Sequence, residues 1–109
     1  MQADERIGMA PGGFSIERSD QDGRRHLTLV GELDIETAST LRSALSEAQA
    51  DEAAVVVDTT GLTFIDSTGL ATLIATRQRM GERFTLVAGP TTHRLLRISG
   101  TLAMFDLEG

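Results

Sequence analysis

The sequence contains no cysteine, no lysine, no tryptophan and no tyrosine. Without cysteine there is no disulfide, no thiolate nucleophile and no Cys-based zinc or iron–sulfur site. Without lysine, P-loop chemistry, Schiff-base catalysis and the lysine-dependent chemistry of phospho-receiver domains are removed, because each needs a primary ammonium group at a fixed place. The aromatic complement is four Phe, so there is little stacking surface for bases or sugars and the core must be built from Leu, Ile, Val and Ala. Long apolar runs are missing too. None approaches the roughly 20 residues that span a bilayer, and no charged-then-apolar segment of signal-peptide type occurs. A cytoplasmic location with no membrane association is the expectation.

What is present is enough for one domain: 109 residues, 40% of them hydrophobic, support a single core and leave no room for a second. Sixteen acidic residues oppose ten basic ones, all arginine, for a formal charge of −6. That sign repels phosphate backbones and anionic membranes and favours a basic protein partner. Direct nucleic-acid binding is therefore not expected.

Residues 1–12 mix charges with Ala10-Pro11-Gly12 and hold no period, and are expected to form a flexible tail preceding a domain over 13–109. Phe14 to Ser19 alternates, Asp20-Gln21-Asp22-Gly23 supplies turn chemistry, and Leu27, Leu29 and Val30 complete a β-hairpin. Ala38, Leu41, Leu45 and Ala48 then recur at helical spacing, predicting a first helix from about Glu36 to Ala50. Ala53 to Val57 is the apolar, β-branched run of a strand buried on both faces and so central in a sheet. A loop over Thr59–Ile65 is expected next, then a second helix starting beside Ser67 and carrying Leu70, Leu73, Ile74 and Met80. Phe84 to Ala88 reads as another strand. Thr91 opens a third helix that Gly100 can close, and Leu102 to Leu107 adds a last short element. The fold class is α/β: a small single-domain mixed sheet of four to five strands packed by three to four helices, with parallel pairs wherever a helix links two strands.

Asp66-Ser67-Thr68-Gly69 stands where a loop meets a helix N-terminus, and an Asp or Ser there accepts hydrogen bonds from otherwise unpaired amides. A plain helix cap would account for it. Three features point further: apolar Leu62, Phe64 and Ile65 precede the polar cluster, Gly69 permits close backbone approach, and the loop leaves a central strand, where open α/β sheets place binding sites.

Val55-Val56-Val57-Asp58 followed by Phe64-Ile65-Asp66-Ser67-Thr68-Gly69-Leu70 resembles the signature of STAS-domain anti-sigma factor antagonists. Val30-Gly31-Glu32-Leu33-Asp34 resembles a second motif of that family, and Leu86-Val87-Ala88-Gly89-Pro90 with Arg94-Leu95-Leu96 and Ser99-Gly100 extends the likeness over roughly residues 14 to 106. The resemblance implies a STAS fold and a non-enzymatic switch. In its unphosphorylated form the protein would bind an anti-sigma factor that is also a serine kinase, freeing a sigma factor. Phosphorylation at Ser67 would block that binding, and a separate Ser/Thr phosphatase would restore it. The partner-binding residues implied are Asp34, Asp66, Ser67, Thr68 and Gly69, with Thr68 a further candidate acceptor; apart from the resemblance, a monomer is one expectation for the domain. No cofactor is expected, ATP belonging to the kinase. The alternative within the fold is a STAS docking subunit of a stress-signalling or lipid-transport assembly without sigma control.

Rival chemistry lacks its parts. Asp58 is placed like a receiver phosphoacceptor, but the acidic pair and the lysine are missing. Ile65 replaces the first glycine of a Gly-x-Ser-x-Gly nucleophile elbow, His93 is the only base downstream, and Asp-Ser-Thr-Gly is one residue too long for the aspartic-protease motif. Asp34 can equally cap the first helix. His26 has no second metal ligand nearby, and Glu36, Glu47, Asp51 and Glu52 read as a solvated face.

Overall fold

A computed structural model describes residues 5–9 and 13–108. The elements run β1 (Glu5–Met9), β2 (Ser15–Gln21), β3 (Arg24–Leu33), α1 (Ala38–Ala50), β4 (Ala54–Ile65), α2 (Ser67–Met80), β5 (Phe84–Val87) and α3 (Pro90–Ser99), with 3₁₀ turns at Gly81–Arg83 and Leu102–Met104. The strands form one five-stranded sheet in the order β1-β2-β3-β4-β5. β1–β2 and β2–β3 are antiparallel, whereas β3–β4 and β4–β5 are parallel. The mixed sheet follows from the connections: a two-residue turn reverses the chain, while helices α1 and α2 carry it back to the same end.

The hairpin turn is Asp22-Gly23, with φ of 54° and 76°. Two consecutive positive φ values twist the turn in the sense that matches right-twisted strands, and Asp-Gly adopts them at low cost. Gly31 answers a different need. Its φ is +106°, and a Cβ there would come within 2.9 Å of Phe14 Cα, so β3 can cross the start of β2 only with glycine at that point.

Two expectations are corrected. The proposed tail over residues 1–12 contains β1, which pairs with the outer edge of β2 and shifts register between Arg6 and Gly8; its residues 1–4 and 10–12 lie outside the described residues. The edge of β2 presents unpaired amides and carbonyls, and these can recruit a segment with no alternation of its own. The expected loop Thr59–Ile65 is the second half of β4. It stays paired to β3 because β4 takes in one extra residue between Thr28 and Val30 and another between Gly31 and Glu32. Such bulges break the two-residue period that marks a strand in sequence, leaving Leu62 and Ile65 buried three positions apart.

All three α-helices meet one face of the sheet. Leu41, Leu45, Leu70, Leu73 and Leu96 share a core with Ile16, Leu27, Leu29, Val55, Val57, Phe84 and Leu86, strand residues that register places side by side on that face. On the opposite face Ser19, His26, Val56 and Thr85 form one row and Glu17, Thr28, Asp58 and Val87 another. None of these joins the core; Val56 and Thr85 are buried and the other six half-buried.

The α2–β5 corner is tied by Arg77, whose guanidinium donates to the carbonyls of Gly81, Phe84 and, at 3.1 Å, Met104. Thr59, fully buried, links the other end: its hydroxyl donates to Val87 O at 2.9 Å and accepts from Gly89 N at 3.2 Å. Replacing Arg77 leaves carbonyls of three segments without their charged donor, so Arg77→Ala is expected to lower unfolding free energy by about 1–3 kcal/mol. A urea denaturation series reads this directly, and an unchanged midpoint would contradict it.

Candidate functional site

Where β3 and β4 end side by side, Leu33 opposite Ile65, two turns lead into α1 and α2. They are joined by a hydrogen bond from Asp66 N to Leu33 O at 3.1 Å. This is the carboxyl end of parallel strands, where an α/β sheet offers its loops and helix N-termini to a ligand.

Asp66 is extended at the N-cap of α2, and its Oδ1 accepts from Thr68 N at 2.9 Å and Gly69 N at 3.0 Å. Ser67 is the first helical residue. It is exposed, and its hydroxyl makes no hydrogen bond among the described residues. Thr68 is half-buried, and its carbonyl accepts from Thr72 Oγ1 at 3.0 Å. Gly69 is buried against the neighbouring turn: a Cβ there would fall 2.8 Å from Leu33 Cγ and 3.0 Å from Leu33 O. Asp66 and Gly69 therefore fix the helix start, while Ser67 points a free hydroxyl outward.

Asp34 shapes the second turn. Its Oδ1 accepts from Glu36 N at 3.0 Å and Thr37 N at 3.1 Å, and its carbonyl accepts from Ala38 N at 2.8 Å. Thr37 Oγ1 in turn accepts from Asp34 N at 2.9 Å and donates to Glu32 O at 2.8 Å. Asp34 thus caps the turn that feeds α1, which begins at Ala38 and not at Glu36, because residues 35–37 are held in that turn. The five residues singled out, Asp34, Asp66, Ser67, Thr68 and Gly69, occupy adjacent turns.

Residues 30–36 and 62–70 contain Glu32, Asp34, Glu36 and Asp66 and no arginine. Among these carboxylates stand exposed apolar side chains, Ile35 at 73% and Phe64 at 46% exposure. Sequence reasoning missed Ile35. The available signal was a large aliphatic residue set between Asp34 and Glu36, ahead of the buried positions of α1. His26 lies on the half-buried face of the sheet and His93 in the first turn of α3, neither hydrogen-bonded to Ser67. Among the described residues no helix is long and apolar enough to cross a membrane.

A short sheet with helices on one face and a capped serine at the carboxyl end of its parallel strands defines a STAS domain. The family model described as "Mlab, STAS domain" matches residues 16–105. The anti-sigma-F factor antagonist RsfB of Mycobacterium tuberculosis is 34% identical over 102 residues, covering 90% of this chain and 84% of RsfB. The crystal structure of an anti-sigma factor antagonist from Mycobacterium paratuberculosis is 33% identical, with a TM-score of 0.81 over 92% of this chain and 89% of that one. The unphosphorylated form of the anti-sigma factor antagonist SpoIIAA shares the fold at 17% identity, with a TM-score of 0.65 over 89% of this chain and 88% of that one. The chain belongs to the STAS-domain family of anti-sigma factor antagonists.

The helix start gives two graded expectations. Asp66→Ala frees two amides and should cost about 1 kcal/mol. Gly69→Ala must displace Leu33 and should cost about 1–3 kcal/mol. Thermal melts of both variants test the order, and a Gly69→Ala protein as stable as the parent would refute the close approach.

Proposed function

We propose that the chain is a non-enzymatic anti-sigma factor antagonist that works in the cytoplasm. Unphosphorylated, it binds an anti-sigma factor that is also a serine kinase and so frees a sigma factor; phosphorylation of Ser67 ends the binding. The observation that carries this reading is the free, exposed hydroxyl of Ser67 on a helix start whose geometry is held by its neighbours. A kinase can transfer phosphate to such a hydroxyl without breaking any hydrogen bond that the fold uses. Membership of a family whose mycobacterial relatives are named as anti-sigma factor antagonists supports the partner class.

Phosphate adds about −1.5 to −2 charges. The positive end of the α2 dipole tolerates an anion, but the Thr68 and Gly69 amides already serve Asp66. A phosphoryl group therefore gains little from the helix and stands beside a carboxylate. The fold survives, and complementarity to a docked partner does not. Losing a buried charge arrangement costs roughly 2–5 kcal/mol, or about 30-fold to several thousand-fold in affinity. A Ser/Thr phosphatase completes the cycle. Asp34, Asp66, Thr68 and Gly69 set the contact surface around the switch.

The second reading is a STAS docking subunit of a stress-signalling or lipid-transport assembly, in which the same surface docks without sigma control; the description of the matching family model names a STAS domain and no sigma partner. Incubation with candidate anti-sigma kinases and ATP, followed by mass-spectrometric mapping, separates the two. Phosphate on Ser67 is expected; phosphate elsewhere, or none with any candidate, favours the second. In titrations Ser67→Asp should bind the kinase at least about 30-fold more weakly than the parent. Ser67→Ala should bind normally and escape modification. Equal affinities for the two variants would refute the switch.

A further inference from the structure

The apolar surface near Ser67 does not stop at the turns. Glu32 lies opposite Phe64, and Val30 opposite both Gly61 and Ser15. The alternation of β3 puts Leu29 and Leu33 in the core and turns Val30 and Glu32 to the opposite face, where Phe64 of β4 lies beside Glu32. Val30 is 41% exposed there, Phe64 46%, and Ile35 on the rim 73%. An apolar strip thus climbs the upper end of the bare sheet face and reaches the turns beside Ser67. Glu32, Glu36 and Asp66 belong to the same two segments, which hold no arginine; Arg94 of α3 stands on the far side of Thr63, where both line one pocket.

We propose that Phe64, Val30 and Ile35 anchor the anti-sigma factor kinase, so that its docking surface runs from Ser67 onto the bare sheet face. The partner segment that fits is an apolar cleft bordered by arginine or lysine, since the carboxylates of these two segments require cations on the other side. This rests on the reading of Ser67 as the kinase target. It adds that the kinase is held by side chains that phosphorylation does not touch, which lets the charge at Ser67 act on a surface already in register.

The test uses the full chain and the kinase that phosphorylates it, with affinity measured by calorimetry at low and high salt. Phe64→Ala and Ile35→Ala should each weaken binding about tenfold or more, and binding of the parent should weaken as salt rises. Ile98→Ala serves as control: Ile98, on α3, is 70% exposed and should change affinity less than about twofold. Melting curves establish that all three variants fold. If the parent binds and Ser67 is phosphorylated while Phe64→Ala and Ile35→Ala bind as well as the control, the anchors are refuted and the switch stands. A parent neither bound nor phosphorylated by any candidate overturns both. Phe64-dependent self-association of the free chain would assign the strip to a second copy and also overturn the proposal.

Discussion

The first turn of α2 lies almost in contact with the end of β3. Asp66 N reaches Leu33 O, and Gly69 leaves less than a methyl group's width to the Leu33 side chain. Because β3 and β4 are parallel and end at the same level, this single approach aligns two helix entries, Asp34 before α1 and Asp66 before α2. Each aspartate spends its Oδ1 on amides of its own turn. Both turns are rigid for the same reason, and the free groups between them, the Ser67 hydroxyl foremost, are held at fixed positions without being used by the fold.

The second constraint is that every helix returns to the same side of the sheet. Parallel crossovers in one direction share a hand, and here α1, α2 and α3 all contribute to one core. One face is therefore dry and aliphatic, and the other carries polar residues and the Val30–Phe64 strip. A chain of this size with so few aromatics can complete one good core but not two, and the uncovered face is what remains.

Much of this was legible in the sequence. The hairpin, the three helices and the start of α2 follow from alternation, helical spacing and capping chemistry, each of which depends on neighbours in the chain. The STAS-domain assignment rests on motifs whose spacing the structure explains: Gly31 for the positive φ, Asp34 and Asp66 for the turns, Gly69 for the approach to Leu33. What failed to show depends on pairing with another strand and not on the segment's own pattern. β1 owes its strand to the open edge of β2. The second half of β4 reads as a loop because its bulges replace a period of two by a period of three. Ile35 was passed over for another reason: a residue in the turn ahead of a helix carries no periodic mark, although exposure gives such a residue its meaning.

Two of the amides that α2 would offer to an anion, those of Thr68 and Gly69, are already taken by Asp66. Many helix starts bind phosphate with those same groups, and a phosphate bound in that way strengthens the structure that holds it. A phosphoryl group on Ser67 would find less of that reward. The chain would be nearly indifferent to its own modification state, and the ratio of the two forms would follow the activities of the enzymes that write and erase it. A record that its carrier neither favours nor resists is left for each of those enzymes to rewrite at its own pace.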